Sequence, residues 1–451
     1  MVRDASPEPK LRTAAAVMER ADRGRSTSQA SRWSFLPRWR VERSVRAIGS
    51  ISLARRILIT GASIAANTAA WWLGRNGFTV TMVERAPAFR EGGQNVDLRG
   101  IGREALRRMG LEQDALARGT GEEGTAWVNA QGRPVARFAA GDSEGDGPTA
   151  EMEILRGDLA GLIFDAARPR MDIRFDDSVE RIAQTADEAT VTFMSGRRES
   201  FELVIVAEGV GSSTREHVFP GENAPRPMDL TIAYFTIPRT PTDDRFWRWY
   251  NAPGGRSVQL RPDPYGTTRA MLAIHGPSAG EQDWDPDRQK AFLRARFADV
   301  GWEAPRVLAG LDTTDDFYFD ALRQVRMPRW SNGRVVLTGD AAWCVTPLAG
   351  VGTTLAVTGA TVLACELCRH GDVAGALASY ERAMRPMVEE AAGVPKIAPR
   401  IMHPRSGLGI RLLHGGLRLA SNPALRGVAA KLFNRKGREP DLSRYDGLGR
   451  G

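Results

Sequence analysis

Apolar residues fall into order from Arg56 onward. Positions 57–60 (Ile-Leu-Ile-Thr) form a run short enough for a buried strand, and Gly61 ends it. From Ile64 to Arg75, Ala, Trp and Leu recur at helical spacing, and 78–83 (Phe-Thr-Val-Thr-Met-Val) reads as a second strand ending at Glu84. Strand, turn, helix, strand predicts a parallel pair, the opening of a doubly wound sheet. Residues 88–150 are Gly-rich and irregular, with a short helix near 102–117. A helix is expected at 156–168, a small antiparallel meander at 171–175, 179–183 and 189–194, and a buried strand at 203–207 returning to the first sheet. The pattern then turns β-rich, with strands at 231–237, 257–261 and 269–274 and one helix at 287–299. A further strand at 334–338 leads back to the first domain, before helices at 350–369 and 372–391 and a basic helical tail.

This pattern divides the chain into a disordered basic extension (1–54), a discontinuous first domain (55–225 and 330–395), an inserted β-rich domain (226–329) and a C-terminal helical tail (396–451). The fold class expected is α/β, or α+β overall.

With 451 residues, 42% of them hydrophobic, the chain can bury a sizeable core, which excludes collagen, a disulfide-rich miniprotein and wholesale disorder. The net charge of +8 suggests nucleic acid until it is located. Residues 1–56 hold twelve Arg and one Lys against five acids, so the remainder is neutral and no nucleic-acid partner is expected. Cys344, Cys365 and Cys368 are too few for a disulfide framework, and a reducing cytoplasm is the simplest setting. Cys365 and Cys368 sit in an apolar stretch as small buried hydrophobes, and the five scattered His make no ligand spacing, so no metal is expected. The charge-free stretch 341–365 is long enough to span a bilayer, but Pro347 and its Thr and Gly residues fit a buried helix against a ligand better, and no integral membrane segment is expected.

Two stretches carry chemistry. Gly61-Ala62-Ser63-Ile64-Ala65-Ala66, between a strand and a helix, is a degenerate dinucleotide-binding turn. Gly61 permits the tight bend, Ser63 replaces the glycine that faces a pyrophosphate, and Ala66 allows close helix–strand packing. Glu84 lies 23 residues on, where a carboxylate meets ribose hydroxyls. The opening Thr-Gly-Ala-Ser also suits a short-chain dehydrogenase, but no Tyr here has Lys four positions later. The second stretch is Gly339-Asp340-Ala341-Ala342, followed by Pro347-Leu348-Ala349-Gly350-Val351-Gly352-Thr353-Thr354 opening a long helix. Asp340 at a strand end suits a polyol, the glycines suit a flat ring, and the helix N-terminus favours negative charge.

Together with Val-Glu-Arg-Ala-Pro (83–87), Leu-Arg-Gly-Asp-Leu (155–159) and Ala-Glu-Gly-Val-Gly-Ser-Ser-Thr-Arg (207–215), these stretches resemble the para-hydroxybenzoate hydroxylase-like, FAD-dependent aromatic hydroxylases, most closely their tetracycline-inactivating and polyketide-modifying members. The resemblance covers about 56–395. It implies a Rossmann-like FAD-binding domain with an inserted β-rich substrate domain. It implies that Gly61, Ser63, Ile64 and Ala66 line the pyrophosphate turn, that Glu84 binds the adenosine ribose with Arg85 flanking the adenine, and that Arg156 reaches the phosphates or ribityl chain. Asp340 would hold the ribityl chain, Pro347, Gly350, Val351, Gly352 and Thr353 would edge the isoalloxazine, and Arg99 would run beside the flavin. Catalytic residues stay unassigned.

The implied activity is monooxygenation. NADPH or NADH reduces FAD, O2 adds at flavin C4a, and the hydroperoxide hydroxylates an aromatic or polyketide-like small molecule held between the domains. The oligomeric state implied is a monomer or homodimer. Two departures bear on this. Glu208-Gly209 stands where the family has Asp-Gly, which keeps a related reductase or dehydrogenase open as the alternative. Trp343 either packs on flavin or substrate or fills core. The Trp247-Arg248-Trp249 run superficially suits a flavin halogenase, though the Ile-Pro that should follow is absent; sheet packing is the preferred reading.

Overall fold

The computed structural model describes residues 55–140, 152–422 and 439–448, so the expected extension 1–54 lies outside the described residues. In chain order the strands and helices are β1 (Arg56–Thr60), α1 (Ile64–Arg75), β2 (Thr79–Glu84), β3 (Asn95–Asp97), α2 (Gly100–Met109), α3 (Glu112–Ala117), β4 (Gly124–Val128), β5 (Pro134–Ala139), β6 (Glu153–Leu155), α4 (Arg156–Ala167), β7 (Met171–Phe175), β8 (Val179–Gln184), β9 (Ala189–Phe193), β10 (Arg198–Phe201), β11 (Leu203–Val206) and α5 (Ser213–Val218). There follow β12 (Arg226–Pro238), β13 (Phe246–Ala252), β14 (Arg256–Pro262), β15 (Thr267–His275), α6 (Pro286–Phe297), α7 (Ala304–Gly310), β16 (Tyr318–Gln324), β17 (Ser331–Asn332), β18 (Val335–Leu337), α8 (Asp340–Trp343), α9 (Gly352–Arg369), α10 (Val373–Ala391), α11 (Ala398–Met402) and α12 (Gly407–Ala420).

The first sheet has the order β17-β18-β11-β1-β2-β7, parallel except at the β17 edge. Its central strands are apolar without alternation because helices cover them: Ile57, Leu58, Ile59 and Val204 to Val206 are fully buried. Burying one such side chain contributes roughly 1.5–3 kcal/mol. On one side α1 packs against α9, where Trp72 Nε1 donates to Thr361 Oγ1 at 3.1 Å. Cys365 is fully buried in α9, and burial pushes the Cys365 thiol up.

Two expectations are corrected. Strand 171–175 joins the first sheet beside β2, and the antiparallel meander is β8, β9 and β10 instead. Residues in 88–150 also hold three strands: β3 pairs with β6, and β4 and β5 complete the second sheet, β16-β12-β15-β14-β13-β4-β5. The β-rich unit therefore takes strands from outside 226–329. Pairing set these memberships: Trp127 of β4 lies in parallel register with Trp249 of β13, more than a hundred residues on.

The second sheet is two-faced. Val258, Leu260, Ala270 and Leu272 pack under Leu293 and Phe297 of α6. The alternate residues turn the other way, where Met228, Leu230, Ile232 and Leu322 gather Leu348 from the segment before α9. No helix among the described residues is long and apolar enough to cross a membrane.

Candidate active site

Strands β1, β11 and β18 are neighbours and end at one level, with Ala207 N–H donating to Thr60 O (2.9 Å) and Thr338 N–H to Val206 O (3.0 Å). Three bends leave this carboxyl edge, the position where open α/β sheets hold ligands. Gly61 bends at φ +93°, and a Cβ there would stand 2.6 Å from Ala207 O. Gly339 bends at φ +60°, with its Cβ position 2.9 Å from the Ala65 side chain. The turn at 61–66 and the turn at 339–352 thus meet, although nearly 280 residues separate them in sequence.

Glu84 is fixed at the first turn. Its two carboxylate oxygens accept from Ala62 N–H (3.0 Å) and Ala86 N–H (2.9 Å). Ser63 begins α1 without capping it; its Oγ instead accepts from Arg156 Nη1 at 3.1 Å. Arg156 opens α4 and also donates to Gly92 O at 3.3 Å. Confinement among protein groups lowers the affinity of this guanidinium for its proton, with Tyr318 and Asp340 opposing the effect.

Asp340 follows Gly339 at the end of β18, open to solvent on one side and facing protein groups, Arg156 among them, on the other. Confinement pushes its carboxyl up to about 6, and Arg156 pulls the other way. Since the folded chain holds a proton that the unfolded chain, near 3.8, releases, stability falls as pH rises from about 4 to 6. Asp340→Asn is therefore expected to match the parent near pH 4 and exceed it at pH 7 in denaturant titrations of the flavin-free chain. An equal difference at both pH values would exclude this origin.

Beyond Asp340 the backbone is strained. Thr346 holds φ +71°, and its buried Oγ1 has no hydrogen-bond partner. Cβ positions at Gly350 and Gly352 face open space, and the first amides of the 18-residue α9 open there. Thr354 Oγ1 accepts from Arg99 N–H at 3.0 Å, which sets Arg99 against the first turn of α9, while its Nη2 binds Asp97 at 2.7 Å. Arg85 is exposed beside Glu84, as is Pro347 before α9. Ile64 and Ala66 are buried in α1, and Val351 and Thr353 are half-buried at the start of α9.

These residues fit FAD: a carboxylate for each polyol, a confined cation for the phosphates, a helix N-terminus for the ring, and an unpartnered hydroxyl at a strained residue. Among the described residues no group of His, Cys, Asp and Glu could hold a metal.

Glu208 is committed locally: it accepts from Ser212 Oγ (2.6 Å) and Thr214 Oγ1 (2.6 Å), holding the start of α5. Trp343 fills core, 4.4 Å from the Trp330 ring centroid and 2% exposed. Trp247 and Trp249 stack at 5.4 Å within the second sheet, and Trp249 stacks on Trp127 at 5.5 Å, so this run packs the sheet.

Two contributions escaped the sequence. Buried Arg215 donates to Ala341 O (3.2 Å) and Val210 O (2.9 Å), tying the 207–215 segment to the Asp340 turn. Tyr318 and Tyr234 stand 6.4 Å apart on the cleft face of the second sheet, with Tyr318 Oη donating to Asp320 at 3.1 Å. Loss of solvent around the phenol and the Asp320 carboxylate push the Tyr318 phenol up, although the residue as a whole is 48% exposed. Strand alternation was the available signal for both tyrosines.

Comparison with known proteins adds to this geometry. The family described as an FAD binding domain matches residues 55–393. An uncharacterized protein of Mycobacterium tuberculosis is 37% identical over 321 residues, 70% of this chain and 86% of that protein. A flavin-dependent monooxygenase from an unknown prokaryotic organism is 34% identical over 345 residues, 75% of this chain and 89% of that protein. The crystal structure of tetracycline destructase Tet(55) is similar with TM-score 0.70 at 30% identity, covering 82% of this chain and 97% of that one.

Proposed function

The chain belongs to the FAD-binding-domain family of flavin-dependent monooxygenases, and we propose that it takes its electrons from NADPH or NADH and oxygenates an aromatic or polyketide-like small molecule. Bound FAD would supply the activation of O2. The chain's own residues would bind and orient. Glu84 and Asp340 would accept from the cofactor's hydroxyls, Arg156 would meet its phosphates, and the segment 347–353 would edge its ring.

The observation that carries the substrate class is the face of the second sheet that gathers Leu348. Tyr234 and Tyr318 line it, and Leu348 packs against its apolar part. Aromatic side chains there would stack on a flat ring and exclude water. The likeness to a tetracycline destructase supports the same class. The unpaired thiols of Cys344, Cys365 and Cys368 suit our reading of a cytoplasmic protein.

The test is oxygenation of a tetracycline by the purified yellow protein. NADPH or NADH consumption should be matched by product heavier by one oxygen atom. Consumption with a product that has gained only hydrogen would instead make it a reductase, and substrate losing hydrogen without NADPH or NADH consumption a dehydrogenase.

A further inference from the structure

We propose that the C-terminal face formed by α11 and α12 seats the protein on an anionic lipid surface. Leu408, Leu412 and Leu419 are 65%, 69% and 62% exposed. Their spacings of four and eleven residues are close to one and three helical turns, so they form a single stripe along α12. Ile397 and Ile401, each more than half exposed, extend the apolar surface to α11. Ile410, Leu413 and Leu417 occupy the opposite side of α12 and are half-buried, on the helix that packs against β5 and β13. One apolar face of α12 therefore holds the fold together, and the other is unpartnered among the described residues.

Charge selects the occupant. Between Glu390 and Glu439 the chain carries ten Lys or Arg and no Asp or Glu. Arg411 and Arg418 lie exposed along one edge of the leucine stripe, and neither forms an ion pair among the described residues. A helix with exposed leucines, flanking arginines and no acids matches the physics of a helix lying in a lipid headgroup layer. No described helix can cross a bilayer, so the contact would be peripheral. A lipid surface is also where an apolar substrate would concentrate, though the binding itself is independent of the chemistry proposed above.

The experiment is cosedimentation of the full-length, FAD-loaded protein with vesicles of phosphatidylcholine alone or mixed with phosphatidylglycerol. The protein should pellet with the mixed vesicles at low salt, stay in solution with the neutral ones, and be released by high salt. Leu412→Ser with Leu419→Ser should weaken binding roughly tenfold without changing charge, and Arg411→Glu with Arg418→Glu by at least about as much. Three results would overturn the proposal. The parent could fail to pellet; the leucine variant could bind as the parent does, which would assign binding to the basic residues near the N-terminus; or the parent could be a dimer that the leucine variant dissociates, which would give the face to a second copy.

Discussion

Gly61→Val is expected to purify without flavin and to lose roughly 3 kcal/mol of stability. Two costs combine. At φ +93° a β-branched residue is out of its allowed region, and its Cβ would meet Ala207 O at 2.6 Å. The carbonyl cannot yield, because Ala207 N–H is bonded to Thr60 O and the strand behind it is buried. The bend must then open, which carries Ser63 and the Ala62 amide away from Arg156 and Glu84. Visible absorbance of the purified protein and a thermal melt followed by circular dichroism read the two effects separately. Gly61→Ala, with the same clash but no branching, should lie between. A valine variant that folds and carries a full complement of flavin would refute the assigned role of this turn.

The turn was legible in the sequence because its logic is local: one strand, one glycine, one helix and a carboxylate 23 residues later. The Gly339–Asp340 bend was legible for the same reason. What escaped depends on contacts between distant residues. Nothing in 124–139 says that its strands will pair with β13, and nothing in 171–175 distinguishes an antiparallel meander from a parallel edge beside β2. Both alternate only partly, and the choice is made by the partner strand. Arg215 stood in the sequence only as the last residue of the 207–215 stretch; its function as a tie appears once its bond to Ala341 O in the Asp340 turn is seen. Trp343 shows the reverse case. Its position beside the flavin motif left ligand contact and core packing equally open, and the α8 turn directs it onto Trp330 and Tyr380 in the core.

Arg156→Ala is expected to weaken FAD binding roughly a hundredfold, by the loss of a charge-assisted hydrogen bond worth about 1.5–3 kcal/mol. The arginine is held by two neutral oxygens, Ser63 Oγ and Gly92 O, and it forms no ion pair with a carboxylate among the described residues. Confinement disfavours its charge, with Tyr318 and then Asp340 opposing that effect. A cation so placed is only partly balanced by Asp340 until an anion enters, so removing it should cost the flavin-free chain little stability. Loss of affinity without loss of stability separates a ligand-binding role from a structural one. Arg156→Lys should recover part of the affinity, since charge returns without the two-pronged donor geometry. The neighbouring carboxyl supplies an independent readout. Arg156 pulls Asp340 down toward ionisation, so its removal should move the Asp340 midpoint above about 6. The pH at which flavin is released should then shift upward in the variant, because the protonated carboxyl is the poorer acceptor for ribityl hydroxyls. Fluorescence titration of FAD across pH 5 to 8 measures both quantities. A variant with parental affinity and an unmoved profile would remove Arg156 from the site.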